Sequence, residues 1–442
     1  MSNSREIALK ILMRIEEGAY SNLILDSELS RHELSDLDKS YITRVIYGVV
    51  TYKLTLDYII RKNSKIRLKK ISQSILNILR LGIFEIYYMD KIPVSATCNE
   101  YVKLARKYGH NASSGFVNAI LRNLSKKELE VNFEGLEGNE LLSVKYSCPL
   151  WLVEKWSKQF GDIEELLKAN NEKTDTCIRV NTLKITREEL KQELLDRGYE
   201  VSDGRIEDIL YIKKLKGLLS EELFNDGYFV VQDEAPAIIA HILDPKEGEK
   251  IIDICSAPGG KTTHIAQLMS DKGEIVATDI HEHRVGLVEQ LAKKLSIKSI
   301  KAECMDATEY HSEFEGMFDG IVADVPCSGL GVIRKKPEIK WTAKEEEIKD
   351  LVGIQKAILN NAKRYLKKGG RLVYSTCTNN EEENENIVKW FLQENKEFKI
   401  RKVDDLIPEG LKSSIRSEGW MLFLPSQENT DGFFACVLEK TQ

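Results

Sequence analysis

The chain has 442 residues, of which 42% are hydrophobic and 30% charged, and its formal net charge is -6. This length exceeds one ordinary domain and predicts two or three. Charges are scattered through the apolar positions of the N-terminal stretch, which excludes a signal peptide, and no apolar run is long enough to span a membrane. We therefore expect a cytoplasmic protein with no membrane partner.

Eight cysteines are spread thinly along the chain, and no two of them form a Cys-x-x-Cys pair. This spacing gives no reason to expect a structural zinc site or any other bound metal. A chain of this size does not need disulfides, so a reducing compartment is predicted. Most of the cysteines are expected to be inert buried residues, and a special role for any of them has to be argued from its neighbours.

Charge is distributed unevenly along the chain. Residues 1–130 contain 21 Lys+Arg against 14 Asp+Glu, a net charge of +7, whereas the remaining residues carry a net charge of -13. Within the basic part, residues 61–70 hold six cations in ten positions. A basic module joined to an acidic one favours docking of a polyanion, with 61–70 as the candidate phosphate-binding segment. A solvated basic face is the plainer alternative.

The first predicted domain, residues 1–130, is all helical because its apolar residues recur at helical spacing. The clearest run is Ile71, Ile75, Ile78, Leu79, Ile83, Ile86 and Tyr87. A polar, glycine-containing stretch at 131–139 is expected to be a linker.

The second predicted domain, residues 140–245, is a small α+β module. It combines predicted strands at 177–180 and 228–231 with a helix that a capping box opens at 186–189. From residue 246 to 442 strands and helices alternate, which is typical of a Rossmann-like α/β domain with a parallel sheet. The predicted strands of this third domain are 250–254, 274–278, 300–303, 320–323, 371–375 and 433–438.

A glycine turn follows the first strand of the third domain and opens a helix. Its residues are Cys255, Ser256, Ala257, Pro258, Gly259, Gly260 and Lys261. The glycines let the backbone approach a ligand, and the helix N-terminus offers free N–H groups. A Walker A loop would need glycine where Cys255 stands, and the G-x-G-x-x-G pattern of dinucleotide sites is absent. An adenosyl ligand remains.

Aspartates follow the first three strands of this domain. Asp253 ends the first strand, and Asp279 ends the second, where a carboxylate can accept hydrogen bonds from both hydroxyls of a ribose. Asp306 follows the third strand and could meet the adenine amino group. Each of them alone is typical of a turn or a helix cap, but three at successive strand ends favour a binding site.

Two cysteines follow the next strands. Cys327 lies in the run Ala-Asp-Val-Pro-Cys-Ser, and Cys377 in Ser-Thr-Cys-Thr. The carboxyl ends of strands in an open α/β sheet form the ligand crevice, so both thiols are expected in the cofactor cleft. A thiolate in such a cleft can add to an electrophilic carbon of a substrate and form a covalent intermediate. The attacking thiol needs a lowered pKa, for which strand-end dipoles and nearby cations are candidate causes.

The Ala-Pro-Gly-Gly-Lys loop and the two cysteine segments together resemble the RNA 5-methylcytosine methyltransferases. The resemblance extends over nearly the whole chain, because residues 81–86 and 116–121 look like the NusB-type helical RNA-binding domain. A bacterial subgroup that methylates 16S ribosomal RNA carries such a domain in front of the catalytic one. Segments that resemble this subgroup are 179–182, 231–234, 329–334 and 431–434.

This resemblance implies S-adenosylmethionine as cofactor, held by Cys255 through Lys261 and by Asp279, Asp306 and Asp324. It implies Cys377 as the nucleophile, whose thiolate adds to carbon 6 of cytosine so that carbon 5 can take a methyl group from the sulfonium. It implies Cys327 as the cysteine that helps to eliminate the enzyme. Asp324 could also serve the base, as a protonated carboxyl bonded to cytosine N3. The middle module is expected to bind RNA. The expected partner is 16S ribosomal RNA before full assembly of the subunit, and the expected state of the protein is a monomer.

Two positions depart from the family pattern. Ser256 stands where the family often has alanine, and Cys148 stands where we expect histidine. Neither change touches the proposed reaction. The basic segment 334–341 follows the Cys327 loop and suggests a clamp on the RNA strand, with Trp341 either a stacking platform or packed inward.

Three alternatives remain open. DNA cytosine methylation would use Cys327 as the nucleophile, but it leaves Cys377 without a role. A NusB-like antitermination or assembly factor with an inactive catalytic domain is opposed by the intact loop, aspartates and cysteines. The same chemistry on transfer RNA or 23S ribosomal RNA is opposed only by the arrangement of the domains.

Overall fold

A computed structural model describes residues 2–18, 21–124, 131–213 and 217–441. The chain divides into two units, residues 1–171 with 333–342 and residues 172–332 with 343–442. The predicted domain boundary at residue 130 falls among residues 125–130, outside the described part, so the division at 130 and 245 stays a prediction. Within the described ranges, no helix is both long enough and apolar enough to cross a membrane.

The helices are numbered from α1 to α19 in chain order. They are α1 (Ser2–Glu16), α2 (Ser21–Arg31), α3 (Asp36–Thr51), α4 (Lys53–Asn63), α5 (Gln73–Tyr88), α6 (Val94–Tyr108), α7 (Asn111–Leu124), α8 (Gly138–Lys145), α9 (Leu150–Phe160), α10 (Glu164–Ala169), α11 (Arg187–Asp196), α12 (Glu222–Asn225), α13 (Glu234–Leu243), α14 (Gly260–Leu268), α15 (Glu282–Leu295), α16 (Ile339–Thr342), α17 (Glu345–Tyr365), α18 (Glu385–Glu394) and α19 (Pro425–Glu428). Short 3-10 turns occur at Leu68–Lys70, Leu218–Ser220, Ser312–Phe314, Asp404–Leu406 and Glu409–Ser414.

The strands form two sheets. They are β1 (Thr176–Val180), β2 (Val201–Asp203), β3 (Ile209–Ile212), β4 (Phe229–Val231), β5 (Lys250–Asp253), β6 (Glu274–Asp279), β7 (Ile300–Cys304), β8 (Phe318–Asp324), β9 (Leu366–Thr376), β10 (Phe398–Ile400), β11 (Met421–Phe423) and β12 (Phe433–Lys440).

The first unit is helical, as the apolar spacing predicts. Its central helix is α5, whose residues from Ile75 to Ile86 are buried. Glu85 is one of two buried charged residues of this helix, the other being Arg80, and it accepts hydrogen bonds from Arg5, Thr97 and Tyr101. A buried carboxylate of this kind is tolerated because its partners replace the water it loses.

Residues 333–342 pack with the first unit although they follow the Cys327 loop in sequence. Trp341 is partly buried against the apolar core of the first unit, and its Nε1 donates to the carbonyl of Val50 at 2.7 Å. Lys340 is buried beside it and donates to the carbonyl of Thr51 at 2.9 Å. Of the two alternatives for Trp341, the inward-packed one is therefore confirmed, and the stacking platform for RNA is wrong.

The smaller sheet has the strand order β2-β3-β1-β4, with all neighbours antiparallel. Helix α11 covers it and begins at the predicted capping box, in which Thr186 and Glu189 bond reciprocally. This sheet matches the small α+β module expected from the sequence.

The larger sheet has the strand order β10-β12-β9-β8-β5-β6-β7, and β11 pairs with β12. Strands β9, β8, β5, β6 and β7 are parallel, whereas β12 runs antiparallel between β9 and β10. The sheet is therefore mixed and not purely parallel. The strand order reverses between β5 and β8. Strands β6 and β7 follow on one side of β5, whereas β8 lies on its other side. Such a switch point opens a crevice at the carboxyl ends of the strands.

Candidate active site

A cavity of about 270 Å³ lies at the carboxyl ends of the parallel strands. It brings together side chains from the ends of β5, β6, β7, β8 and β9, with α17 on one side. The lining residues are Ile254, Cys255, Ala257, Asp279, Ile280, Arg284, Met305, Asp306, Ala307, Thr308, Asp324, Val325, Pro326, Cys327, Ile354, Ile358 and Cys377. The three aspartates expected at the cofactor and both candidate catalytic cysteines thus face one space.

The glycine turn after β5 is held in place by its neighbours on the sheet. Ser256 donates to the carbonyl of Thr278 on β6 through its amide at 2.8 Å and its hydroxyl at 3.0 Å. The hydroxyl that departs from the family pattern is thereby satisfied. Gly259 has a φ of +102°, a conformation that favours glycine. Cys255 and Ala257 line the cavity, and Ser256, Pro258, Gly259, Gly260 and Lys261 shape the turn and the start of α14 around it.

Helix α14 is also anchored from the smaller sheet. The fully buried Arg179 on β1 donates to the carbonyl of Gly260 at 2.5 Å and to the hydroxyl of Thr263 at 3.0 Å. Burial lowers the pKa of Arg179 to about 9, and the carboxylate of Asp208 opposes that change. Asp208 bonds in turn to His264 of α14 at 2.5 Å. The anchoring role of Arg179 was missed from the sequence. The available signal was a charged residue within an otherwise apolar strand.

Asp279 is buried at the end of β6. Its Oδ1 accepts from the amide of His281 at 3.1 Å, and its Oδ2 lies 3.3 Å from a guanidinium nitrogen of Arg284. Arg284 also reaches the carbonyl of Ala257 at 3.1 Å. Arg284 therefore ties the carboxylate to the glycine turn, a link that sequence reasoning missed because the two residues lie on different segments.

Asp306 is a turn residue and a cavity residue at once. Its Oδ1 accepts from the amide of Thr308 at 2.8 Å and from its hydroxyl at 2.6 Å. These hydrogen bonds hold the pKa of Asp306 below its usual range. Asp306 therefore caps the turn, as a lone aspartate is expected to do, and it also lines the cavity.

Asp324 at the end of β8 is paired with Lys261. The Lys261 Nζ lies 2.6 Å from Asp324 Oδ2, and the hydroxyl of Ser375 donates to Oδ1 at 2.8 Å. Burial alone would lower the pKa of Lys261, but the nearby Asp324 carboxylate raises it. In this arrangement both oxygens of Asp324 accept hydrogen bonds, and the bond from a protonated carboxyl to cytosine N3 stays a prediction.

The sulfur atoms of Cys327 and Cys377 lie 3.2 Å apart. The hydrogen bond to Cys377 and burial raise the pKa of Cys327 well above its usual range. Cys377 is among the groups whose negative charge raises the pKa of Lys261, so the Lys261 ammonium attracts a thiolate at Cys377. Cys327 is therefore held as a thiol, and Cys377 is the sulfur of the pair whose charge interacts with the Lys261 ammonium.

The polar and apolar side chains that line the cavity fit an adenosyl ligand. The Asp279 carboxylate can accept from a ribose diol, and Ile280, Met305 and Ile358 offer apolar walls for an adenine ring. The fold and this cavity define a methyltransferase that depends on S-adenosylmethionine.

Comparisons with known proteins identify the family. Residues 240–439 match the family described as 16S rRNA methyltransferase RsmB/F, residues 2–126 match the NusB family, and residues 148–215 match the ferredoxin-like domain of RsmF/B-like methyltransferases. The chain is 36% identical to the probable ribosomal RNA small subunit methyltransferase B of Bacillus subtilis (strain 168), over 99% of this chain and 98% of that one. It is 34% identical to the protein of the same description from Synechocystis sp., over the full length of both.

Two solved structures are also similar to this chain. The crystal structure of PH0851 matches with a TM-score of 0.83 and 29% identity, over 100% of this chain and 99% of that one. NSun6 from Pyrococcus horikoshii, solved with the S-adenosylmethionine analogue SFG, matches with a TM-score of 0.58 and 26% identity, over 65% of this chain and 97% of that one. The chain belongs to the RsmB/F family of 16S rRNA methyltransferases and has a NusB-like N-terminal domain.

Proposed function

We propose that the protein methylates carbon 5 of a cytosine in 16S ribosomal RNA, with Cys377 as the nucleophile and Cys327 assisting elimination. The observation that carries the proposal is the 3.2 Å contact between the two cysteine sulfurs at the wall of the cofactor cavity. A second thiol beside the nucleophile has a use when the covalent bond to the base has to be both formed and broken.

The first step is addition of the Cys377 thiolate to carbon 6 of the base. Lys261 stabilises the thiolate before attack, and the hydrogen bond from the Cys327 thiol orients it. The carboxylate of Asp324 accepts a hydrogen bond from the exocyclic amino group of the base, which favours cytosine over uracil. Addition makes carbon 5 electron-rich, and its electron pair would form the bond to the methyl group that S-adenosylmethionine supplies, with neutral S-adenosylhomocysteine as the leaving group.

The second half of the reaction restores the enzyme. The proton on carbon 5 passes to a base, its electron pair forms the bond between carbons 5 and 6, and the bond between carbon 6 and sulfur breaks. Cys327 is the candidate for that base, because its sulfur lies 3.2 Å from the sulfur that is bound to carbon 6 and so stands beside the reacting carbons. Cys327 can then release its own proton to solvent and accept the one from carbon 5.

The basic segment 61–70 is proposed to dock the RNA backbone. It runs from the end of α4 to the 3-10 turn Leu68–Lys70, and its six cationic side chains are exposed. The target base has to leave its stack to reach the cavity, so RNA that is not yet enclosed in the subunit is the proposed substrate. The relatives' names and the NusB-like domain support 16S ribosomal RNA over transfer RNA or 23S ribosomal RNA.

Methylation of purified RNAs tests this proposal. The full-length protein is incubated with labelled S-adenosylmethionine and with 16S, 23S or transfer RNA made in vitro, and the nucleosides are separated after digestion. We expect label in 5-methylcytidine from 16S RNA, loss of label with Cys377→Ala, and retention with Cys98→Ala, a matched change at a buried cysteine of the first unit. Label in another nucleoside, or only in another RNA, would overturn the chemistry or the substrate respectively.

A further inference from the structure

Glu383 is a fully buried carboxylate that lies behind the Cys327 loop. Its Oε1 accepts from the amide of Ser328 at 2.8 Å, and its Oε2 accepts from the hydroxyl of the same serine at 2.5 Å. It also accepts from the side-chain amides of Gln355 at 3.1 Å and Asn380 at 3.0 Å. All four contacts come from donors, so both oxygens of Glu383 act only as acceptors.

The same cluster holds the residue on the other side of Cys327. The side-chain amide of Gln355, itself fully buried, donates to the carbonyl of Pro326 at 2.9 Å. Glu383 fixes Gln355 in this orientation through their shared contact. Pro326 and Ser328 are thus both tied to one buried pair, and Cys327 is the residue between them.

A hydroxyl contact connects the Cys327 loop to the residue after Cys377. The Ser328 and Thr378 hydroxyl oxygens lie 2.8 Å apart. Because Ser328 donates its single proton to Glu383, Thr378 is the donor in this contact. The chain of bonds runs from Thr378 through Ser328 to Glu383, and it links the two loops that carry the thiols.

We infer that Glu383 is a positioning residue that, through Ser328 and Gln355, fixes the Cys327 thiol against Cys377 and thereby serves the elimination step. The inference rests on the proposed function, since it presumes that Cys327 assists elimination. The charge of Glu383 also acts on the thiol: after the hydrogen bond to Cys377 and burial, it is a further cause of the raised pKa of Cys327.

The test is Glu383→Gln in the full-length protein. The amide would turn donor hydrogens toward the donors of Ser328, Gln355 or Asn380, which loosens the loop without removing either thiol. We expect kcat to fall about 10²-fold, the scale of a misplaced catalytic group, while KM for 16S RNA stays within about twofold because uniform binding is untouched. We also expect a covalent protein–RNA band to accumulate on denaturing gels, since addition proceeds and elimination lags.

Glu381→Gln is the matched control, because this exposed glutamate lies two residues away on the same turn; it should keep the wild-type rate and give no band. Ser328→Ala is the second variant and covers the case in which Glu383→Gln does not fold. In this variant the backbone amide of residue 328 still donates to Glu383. The variant should give the same covalent band as Glu383→Gln, with a smaller loss of kcat. An unchanged kcat, or a loss of rate without the band in both variants, would overturn the inference.

Wild-type protein on RNA containing 5-fluorocytidine separates this inference from the proposed function. Fluorine replaces the proton that has to leave carbon 5, so elimination is blocked and wild-type protein should be trapped. Absence of trapping would contradict the cytosine chemistry itself. Trapping of the wild type together with control-like behaviour of Glu383→Gln and Ser328→Ala would remove only the role of Glu383.

Discussion

Cys327 and Cys377 are 50 residues apart in sequence, yet their sulfur atoms lie 3.2 Å apart. The contact arises because the strands before them, β8 and β9, are parallel neighbours whose ends are paired at Asp324 and Ser375. The two loops that leave these strands therefore start side by side. The pair is also tied by a backbone bond, in which the amide of Gly331 donates to the carbonyl of Cys377 at 3.0 Å.

Removal of the Asp279 carboxylate should weaken cofactor binding. Asp279→Ala should lose about 1.5–3 kcal/mol of binding free energy for S-adenosylmethionine, the scale of a hydrogen bond to a charged group. Isothermal titration calorimetry measures this change. Glu289→Ala, at an exposed position on the following helix, should bind like the wild type. Equal affinity of Asp279→Ala and Glu289→Ala would remove Asp279 from the cofactor site.

Asp253 should make stability depend on pH. Burial raises its pKa to about 6 from an ordinary value of 3.8. Between these values the unfolded chain is ionised while the folded chain keeps the proton, so the contribution of Asp253 to stability falls as pH rises. The Asp253→Asn variant has no titrating group at this position, so it does not lose stability in this way as pH rises. Its side chain can still accept the hydrogen bond from Thr262.

Chemical denaturation at two pH values tests the prediction for Asp253. The free energy of unfolding of Asp253→Asn relative to the wild type should rise by about 2 kcal/mol from about pH 4 to about pH 7. The exposed Asp350→Asn on α17 is the control and should show no such trend. A difference independent of pH would mean that Asp253 is already ionised in the folded chain at pH 4.

Gly331 has no room for a side chain. A Cβ at this position would lie 2.0 Å from the carbonyl oxygen of Gly432 and 2.8 Å from that of Cys377. Gly331→Ala should therefore displace the Cys377 loop, lowering both the melting temperature and the methylation rate. Gly353→Ala, in open space on α17, should instead stabilise the protein slightly, by about 0.5–1 kcal/mol. A wild-type methylation rate for Gly331→Ala would show that the Cys377 loop can move away from residue 331 without loss of activity, which would contradict the prediction.

The basic segment 61–70 should govern the salt dependence of RNA binding. Lys69→Ala with Lys70→Ala should reduce the slope of log affinity against log salt by about 0.7 for each phosphate that the variant no longer binds. Fluorescence anisotropy over a range of salt concentrations measures the slope. The control is Lys103→Ala with Lys107→Ala, because these lysines are paired with Glu100 and Glu6. Equal slopes in the two double variants would contradict a docking role for the segment.

The strands of the larger sheet could be predicted from sequence because each apolar run ends at a polar or glycine-containing turn. The predicted strand 250–254 is observed as Lys250–Asp253, and 274–278 as Glu274–Asp279. Strands β10 and β11 were missed because three residues are too few to show a period. They pair with β12 and make the sheet mixed.

The side chains that hold the site residues in place could not be predicted from sequence, because their contacts join segments that are distant along the chain. The run 378–384 is polar and glutamate-rich, which is typical of an exposed loop, yet Glu383 and Asn384 are fully buried. The contact of Lys261 with Asp324 spans 63 residues, and no local pattern indicates it. Residues at strand ends could be predicted, whereas the side chains that hold them in place could not.

Trapping the covalent intermediate shows which of the two cysteines attacks carbon 6. Cys327→Ala, Cys377→Ala and the double variant are each incubated with 16S RNA and S-adenosylmethionine and separated on a denaturing gel. We expect a protein band shifted by the mass of the RNA in Cys327→Ala alone. The band should depend on the cofactor, because addition to carbon 6 succeeds and release fails. A shifted band in Cys377→Ala, with none in Cys327→Ala, would contradict this assignment and make Cys327 the nucleophile.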